Sequence, residues 1–230
     1  MIHLWQTSVQ YGARGLIGKL AALLIAFHVA AAGASAETIT IAALGDSLTQ
    51  GYGLPDGDGL VPQLQAWLDK AGEEAVVLNA GVSGDTTAGG RARIGWTLTE
   101  EVDALIVALG GNDVLRGIAP EVARENLAAI LQAARARGLP VLLVGLSAPA
   151  NYGPDYKAAF DAIYPELAAQ YGALLFPGFL DILTKGRDTQ VVLRDLMQAD
   201  AIHPNREGVA LIVAELGPAV QALIERARGH

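Results

Sequence analysis

Two rhythms of apolar residues alternate along the chain. Short continuous runs over residues 39–44, 75–79, 104–109, 140–146 and 173–176 read as strands, the third apolar throughout as a central parallel strand buried on both faces should be. Between them apolar residues fall at helical spacing. Val61, Leu64, Trp67 and Leu68 mark a first helix that stops at Gly72, and a second begins near Thr86 and carries Ile94, Trp96 and Leu98. Behind Pro120, Val122, Leu127, Ile130, Leu131 and Ala134 make one face before Gly138. Residues 155–171 carry Phe160, Ile163, Leu167 and Tyr171, and residues 205–226 carry a long stripe from Val209 to Ile224. The pattern is weakest over 177–201, with partial helix over 191–197.

Strands alternating with helices imply right-handed βαβ units and a parallel sheet covered on both faces. The expected fold is α/β, a three-layer α/β/α sandwich around a five-stranded parallel sheet. A chain of 230 residues suits one such domain. Residues 1–36 stand apart from it. Arg14 and Lys19 precede an apolar stretch over 20–32, and Ala34-Ser35-Ala36 matches a signal-peptidase site, so cleavage is expected after Ala36. The competing reading is an uncleaved anchor, but the run falls short of about 20 residues and carries His28. A periplasmic or secreted domain at residues 37–230, not inserted in the membrane, is the expectation.

Charge and composition narrow the functions. Losing the leader removes two cations and no acids, taking the formal charge from −8 to −8 − 2 = −10. A domain so acidic has no electrostatic footprint for nucleic acid. With no cysteine, structural disulfides and a lipid-anchored lipoprotein are excluded, and with one usable histidine no metal site is credible. A monomer is expected, and no cofactor.

Candidate chemistry gathers where the strands end. In an open α/β sheet ligands bind outside the carboxyl ends of the strands, and Gly45-Asp46-Ser47-Leu48 follows the first, opening into the Gly-rich turn 51–57. Residues 37–230 hold only three serines, Ser47, Ser83 and Ser147, and two histidines, His203 and the terminal His230. Ser47 is thus a candidate nucleophile and His203 the credible imidazole base. In Asp200-Ala201-Ile202-His203-Pro204, Pro204 keeps His203 out of helical geometry. A carboxylate three residues away in such a turn can hold one ring nitrogen and leave the other free as base, as in a serine-hydrolase triad. Gly81 and Asn112, after two other strands, suit an oxyanion hole, one through its backbone N–H and the other through a neutral amide. Each has an ordinary alternative. Asp200 and Asn112 are also turn or cap residues, His203 a satisfied surface residue and Gly81 a turn glycine. Ser83 and Asp85 read as loop-fixing residues.

Gly45-Asp46-Ser47-Leu48, Gly81, Gly110-Gly111-Asn112-Asp113 and Asp200-Ala201-Ile202-His203-Pro204 together resemble, in order, the four blocks of the SGNH (GDSL) hydrolase superfamily. Residues 79–87, Pro149-Ala150-Asn151-Tyr152-Gly153, 159–165 and 197–200 are similar to its bacterial periplasmic thioesterase I, lysophospholipase and arylesterase group. Ala201, where that group often carries Gly, is a minor departure. The resemblance implies a flavodoxin-like sheet and a cofactor-free serine mechanism. Ser47, Asp200 and His203 would be the triad, with the Ser47 and Gly81 N–H groups and the Asn112 side chain as oxyanion hole. It also implies small acyl esters or thioesters as substrates: aryl esters, acyl-CoA and lysophospholipids. Leu115, Ile118, Pro149 and Tyr152 are candidates for an apolar acyl lining, or equally for loop packing. A carbohydrate O-acetylesterase and a catalytically silent binding module are the alternatives. No G-x-S-x-G elbow, phosphate loop or dinucleotide fingerprint is present.

Overall fold

The computed structural model describes residues 37–229, so the expected leader and its cleavage point lie outside the described residues. Five strands, β1 (Ile39–Gly45), β2 (Ala75–Gly81), β3 (Ala104–Ala108), β4 (Val141–Val144) and β5 (Leu174–Phe176), form one all-parallel sheet in the order β2-β1-β3-β4-β5. That is the flavodoxin order. Every residue of β3 and β4 is buried, as covered parallel strands require. β2, at one edge, leaves Val76 and Leu78 exposed.

The described helices are α1 (Ser47–Gln50), α2 (Leu60–Ala71), α3 (Thr87–Thr97), α4 (Gly111–Leu115), α5 (Pro120–Ala136), α6 (Pro154–Asp161), α7 (Ile163–Tyr171), α8 (Asp181–Thr184), α9 (Thr189–Asp195) and α10 (Arg206–Arg228). α2 packs on α10, while α5 packs on α3, α6 and α7. Right-handed crossovers place these two groups on opposite faces of the sheet, giving three layers. The stop and start signals act as local chemistry requires. Gly72 ends α2 in the left-handed region at φ 78°. The side chains of Thr86 and Asn205 accept N–H bonds at the starts of α3 and α10. α10 is long and apolar enough to cross a membrane, but Val209, Ile212, Val213, Leu216, Val220, Leu223 and Ile224 spend its apolar stripe on the core.

Several expectations needed correction. The helix expected over 155–171 is two helices, because Pro165 lacks an N–H and its ring would clash with the carbonyl of Asp161 if the helix ran through. Pro165 instead sits in the first turn of α7, where a missing N–H costs nothing. The chain after Ser47 makes one helical turn before the Gly-rich stretch. The helix expected over 191–197 starts at Thr189, because the Asp188 side chain caps Gln190 N–H at 2.8 Å. On α3, Ile94 is buried but Trp96 is 87 % exposed, since two residues along a helix is a 200° rotation. Val122 on α5 is likewise exposed, and Ala123 takes its place in the core.

The sheet order positions the site. From β1 the chain crosses to β2 on one side, then returns past β1 to β3 on the other, so the segments after β1 and β3 diverge. The crevice between them is the switch point where ligands bind in such sheets. Ser47 follows β1 and Asn112 follows β3.

Candidate active site

β1 ends at Gly45, and the next residue, Asp46, caps α1 by accepting the Leu48 N–H at 3.0 Å. Ser47 is the first residue of that turn, lifted off the strand end and partly exposed. Opposite it, the chain between α9 and α10 forms a tight loop. Asp200 Oδ1 accepts the backbone N–H groups of Ile202 at 2.9 Å and His203 at 3.0 Å. This leaves Oδ2 for the His203 ring, which it meets at Nδ1 at 2.6 Å. His203 Nε2 lies 2.8 Å from Ser47 Oγ. The three residues singled out from sequence are therefore in line, carboxylate to imidazole to hydroxyl.

Protonation follows from the surroundings. The His203 backbone N–H first, then the His203 ring and the Ile202 N–H, hold the Asp200 carboxyl down at about 2. An ionised Asp200 only accepts, so Nδ1 carries the proton and Nε2 is free to accept from the Ser47 hydroxyl. The loop needs Ala201 in the left-handed region at φ 57°. Gln198 holds it from outside, with its N–H on the His203 carbonyl at 2.8 Å and its amide on the Tyr52 and Pro204 carbonyls at 2.9 and 3.0 Å. The Tyr52 ring covers His203 with centroids 4.9 Å apart.

Asn112 stands where expected, in α4, with its amide donating weakly to Asp46 Oδ2 at 3.3 Å. Its neighbour Asp113 is fully buried and anchors α4 to α3 by accepting the Thr87 N–H at 2.8 Å and hydroxyl at 2.6 Å. Asp46 is 2 % exposed, and loss of water pushes its carboxyl up to about 6, against the opposing bonds from Leu48 and Asn112.

Gly81 does not join this constellation. Its N–H donates to the side chain of Asn79 at 3.0 Å, and it does not line the cleft. It is glycine because a Cβ would meet Gln50 N at 2.3 Å and Asp46 O at 2.9 Å. Three residues on, Gly84 does line the cleft, in the left-handed region at φ 82°. Its N–H, like that of Ser47, donates to no described protein group. Its carbonyl accepts from Arg116 at 2.7 Å, and Ser83 beside it bonds to Gln50.

The cleft has a volume of about 460 Å³ and runs past Ser47, His203 and Asn112. Leu115 and Pro149 line it as expected from sequence, but Ile118 and Tyr152 do not. Ile118 gives its carbonyl to Tyr156, and Tyr152 packs against the Tyr156 ring at 4.9 Å. Both therefore hold loops together. Leu48, Val114, Leu146, Leu180 and Ile202 complete the apolar wall. Those from α1, α4 and the Asp200–His203 loop were legible as neighbours of the motifs, and Leu146 as the end of a strand read from sequence, whereas nothing near Leu180 in the sequence marks it. Ser147 binds Asp181 at 2.8 Å and is a loop residue. Among the described residues no group of three or more His, Cys, Asp and Glu side chains could hold a metal ion.

Residues 43–211 match the model of the GDSL-like lipase/acylhydrolase family. The chain is 41 % identical over 192 residues to the esterase TesA of Pseudomonas aeruginosa, covering 83 % of this chain and 91 % of that one. To the thioesterase 1/protease 1/lysophospholipase L1 of Escherichia coli K12 it is 37 % identical over 204 residues, covering 88 % and 90 %. A crystal structure of TesA superposes with a TM-score of 0.72 at 40 % identity, covering 80 % of this chain and 99 % of that one. With a family model matched from the end of β1 through α4 to the loop of Asp200 and His203, this chain belongs to the GDSL-like lipase/acylhydrolase family, the SGNH hydrolases, and is a hydrolase of ester bonds.

Proposed function

We propose that the cleft cleaves acyl esters and thioesters through an acyl-enzyme on Ser47. His203 Nε2 takes the hydroxyl proton as Ser47 Oγ attacks the carbonyl carbon, and Asp200 stabilises the imidazolium that forms. His203 then gives that proton to the departing alcohol or thiol. Water, activated by the same nitrogen, releases the acid. The developing oxyanion is met by the N–H groups of Ser47 and Gly84 and by the Asn112 amide, so Gly84 takes the place that the sequence reading gave to Gly81. The observation that carries this reading is the alignment of His203 between Asp200 at 2.6 Å and Ser47 at 2.8 Å.

The apolar cleft supports an acyl chain as the recognised part, with acyl-CoA, aryl esters and lysophospholipids as the substrate class. Neither Trp67 nor Trp96 lines it, so neither tryptophan serves as a sugar platform there, and Tyr52 is the aromatic residue of the lining. The leader pattern over residues 1–36 supports action outside the cytoplasm. The test is a chain-length series of nitrophenyl esters and acyl-CoAs, with wild type and Ser47→Ala compared. Turnover that peaks on medium or long acyl chains and vanishes in Ser47→Ala supports the proposal. Activity on acetyl groups alone, or an undiminished Ser47→Ala, overturns it.

A further inference from the structure

Arg93 lies on α3, does not line the cleft and takes no part in the steps above. Yet its guanidinium makes three bonds, all to the segments that bear the reacting groups. Nε donates to Asp85 Oδ2 at 2.6 Å, Nη1 to the Ala80 carbonyl at 2.7 Å and Nη2 to the Gly45 carbonyl at 2.8 Å. Gly45 ends β1 one residue before Asp46-Ser47, Ala80 is next to last in β2, and Asp85 directly follows Gly84. The side chain is only 22 % exposed. One planar group thus spans the nucleophile strand, its neighbour and the loop that carries Gly84.

Beyond Gly45 and Gly81 the ladder between β1 and β2 ends, and a single bond from Val82 N–H to the Gly45 carbonyl at 3.0 Å continues it. From there to Thr86 the chain has no helix or strand to fix it. Backbone donors in an oxyanion hole work only when held to a fraction of an ångström, and a displacement of 1 Å costs about 100-fold in rate. A guanidinium presents its donors in a rigid fork, which a single ammonium cannot imitate. We propose that Arg93 is a positioning residue of the reaction, fixing the Gly84 loop against Ser47 by bonding Gly45, Ala80 and Asp85 together. The inference rests on the reading of Ser47 as nucleophile and Gly84 as oxyanion donor.

The experiment compares wild type, Arg93→Gln, Arg93→Lys, Asp85→Asn and Ser47→Ala in kcat and KM on a nitrophenyl ester. It also measures Ki for an alkyl boronic acid, which forms a tetrahedral adduct on serine and so reports transition-state binding. Folded Arg93→Gln loses about 10- to 100-fold in kcat with KM little changed, and boronate Ki weakens by a similar factor. Arg93→Lys recovers only part of the loss, and Asp85→Asn, with both carbonyl bonds intact, loses less than Arg93→Gln. A purely structural role would lower the folded fraction without moving Ki. Wild-type kcat in Arg93→Gln, full recovery in Arg93→Lys, or an unchanged Ki overturns the proposal. If Arg93→Gln does not fold, unchanged kcat and Ki in Asp85→Asn overturn it. An active Ser47→Ala would overturn the underlying mechanism, whereas an inactive Ser47→Ala beside unaffected Arg93 variants overturns this inference alone.

Discussion

Replacing Asp46 by Asn removes a buried charge while keeping its shape. The carboxyl is 2 % exposed, and desolvation raises it to about 6 from an ordinary 3.8. The folded protein therefore binds a proton here more readily than the unfolded chain between those values, and stability falls as pH rises. The stabilising contribution is complete below pH 3.8 and is lost as pH passes through about 6. A separation of roughly two pKa units, at about 1.4 kcal/mol each, amounts to about 3 kcal/mol, with around half of it between pH 5 and 8. Asn does not titrate, so subtracting the variant's curve from the wild type's cancels the ionising groups that do not interact with Asp46, His203 being the neighbour whose charge does act on it. Urea unfolding across pH 5 to 8 is the assay. Wild type should lose about 1 to 2 kcal/mol more than Asp46→Asn over that range. Any misfit between the new amide and Asn112 shifts the variant by a constant and leaves the slope untouched. Parallel curves would refute the reasoning.

Asn112→Ala should lower kcat by about 10² to 10³ with little change in KM, read on a nitrophenyl ester, and a loss confined to KM would make Asn112 a substrate-positioning group. Ala201→Gly should stabilise the protein by roughly 0.5 kcal/mol in urea unfolding with unchanged kcat. Relief of a left-handed alanine, about 1 kcal/mol, exceeds the added freedom of the unfolded chain, and a less stable variant would contradict this. Thr87→Val removes the hydroxyl that Asp113 accepts and leaves the Asn126 amide without its bond to Thr87. It should cost about 1 to 3 kcal/mol in urea unfolding, and a cost under about 0.5 would show the network to be slack.

The strands and the pairing of Asp200 with His203 were legible because both depend on local pattern. Buried parallel strands need continuous apolar runs, and Asp200 reaches His203 through a bond pattern contained within one four-residue loop. The glycine proposed for the oxyanion hole was not legible in the same way. Gly81 and Gly84 both follow β2, and what separates them is spatial. Gly81 is crowded by the backbone of α1 and its N–H is taken by Asn79, while Gly84 faces the cleft. Ile118 and Tyr152 were misplaced for a related reason, since the apolarity of a loop residue does not say whether it meets the cleft or another loop. Arg93 carried no signal because its three partners come from separate segments. The split between α6 and α7 could have been read from Pro165, which the helical spacing of Phe160, Ile163 and Leu167 outweighed.

The most direct test of the account is stoichiometric labelling with an alkyl fluorophosphonate, followed by mass spectrometry of the peptides and assay of remaining activity. Residues 37–230 hold only three serines, so the site is unambiguous. The account predicts one adduct per chain, on Ser47, with activity lost in proportion to labelling and no labelling in His203→Ala at matched time. Turnover surviving full modification of Ser47, or inactivation with the adduct on Ser83 or Ser147, would contradict it.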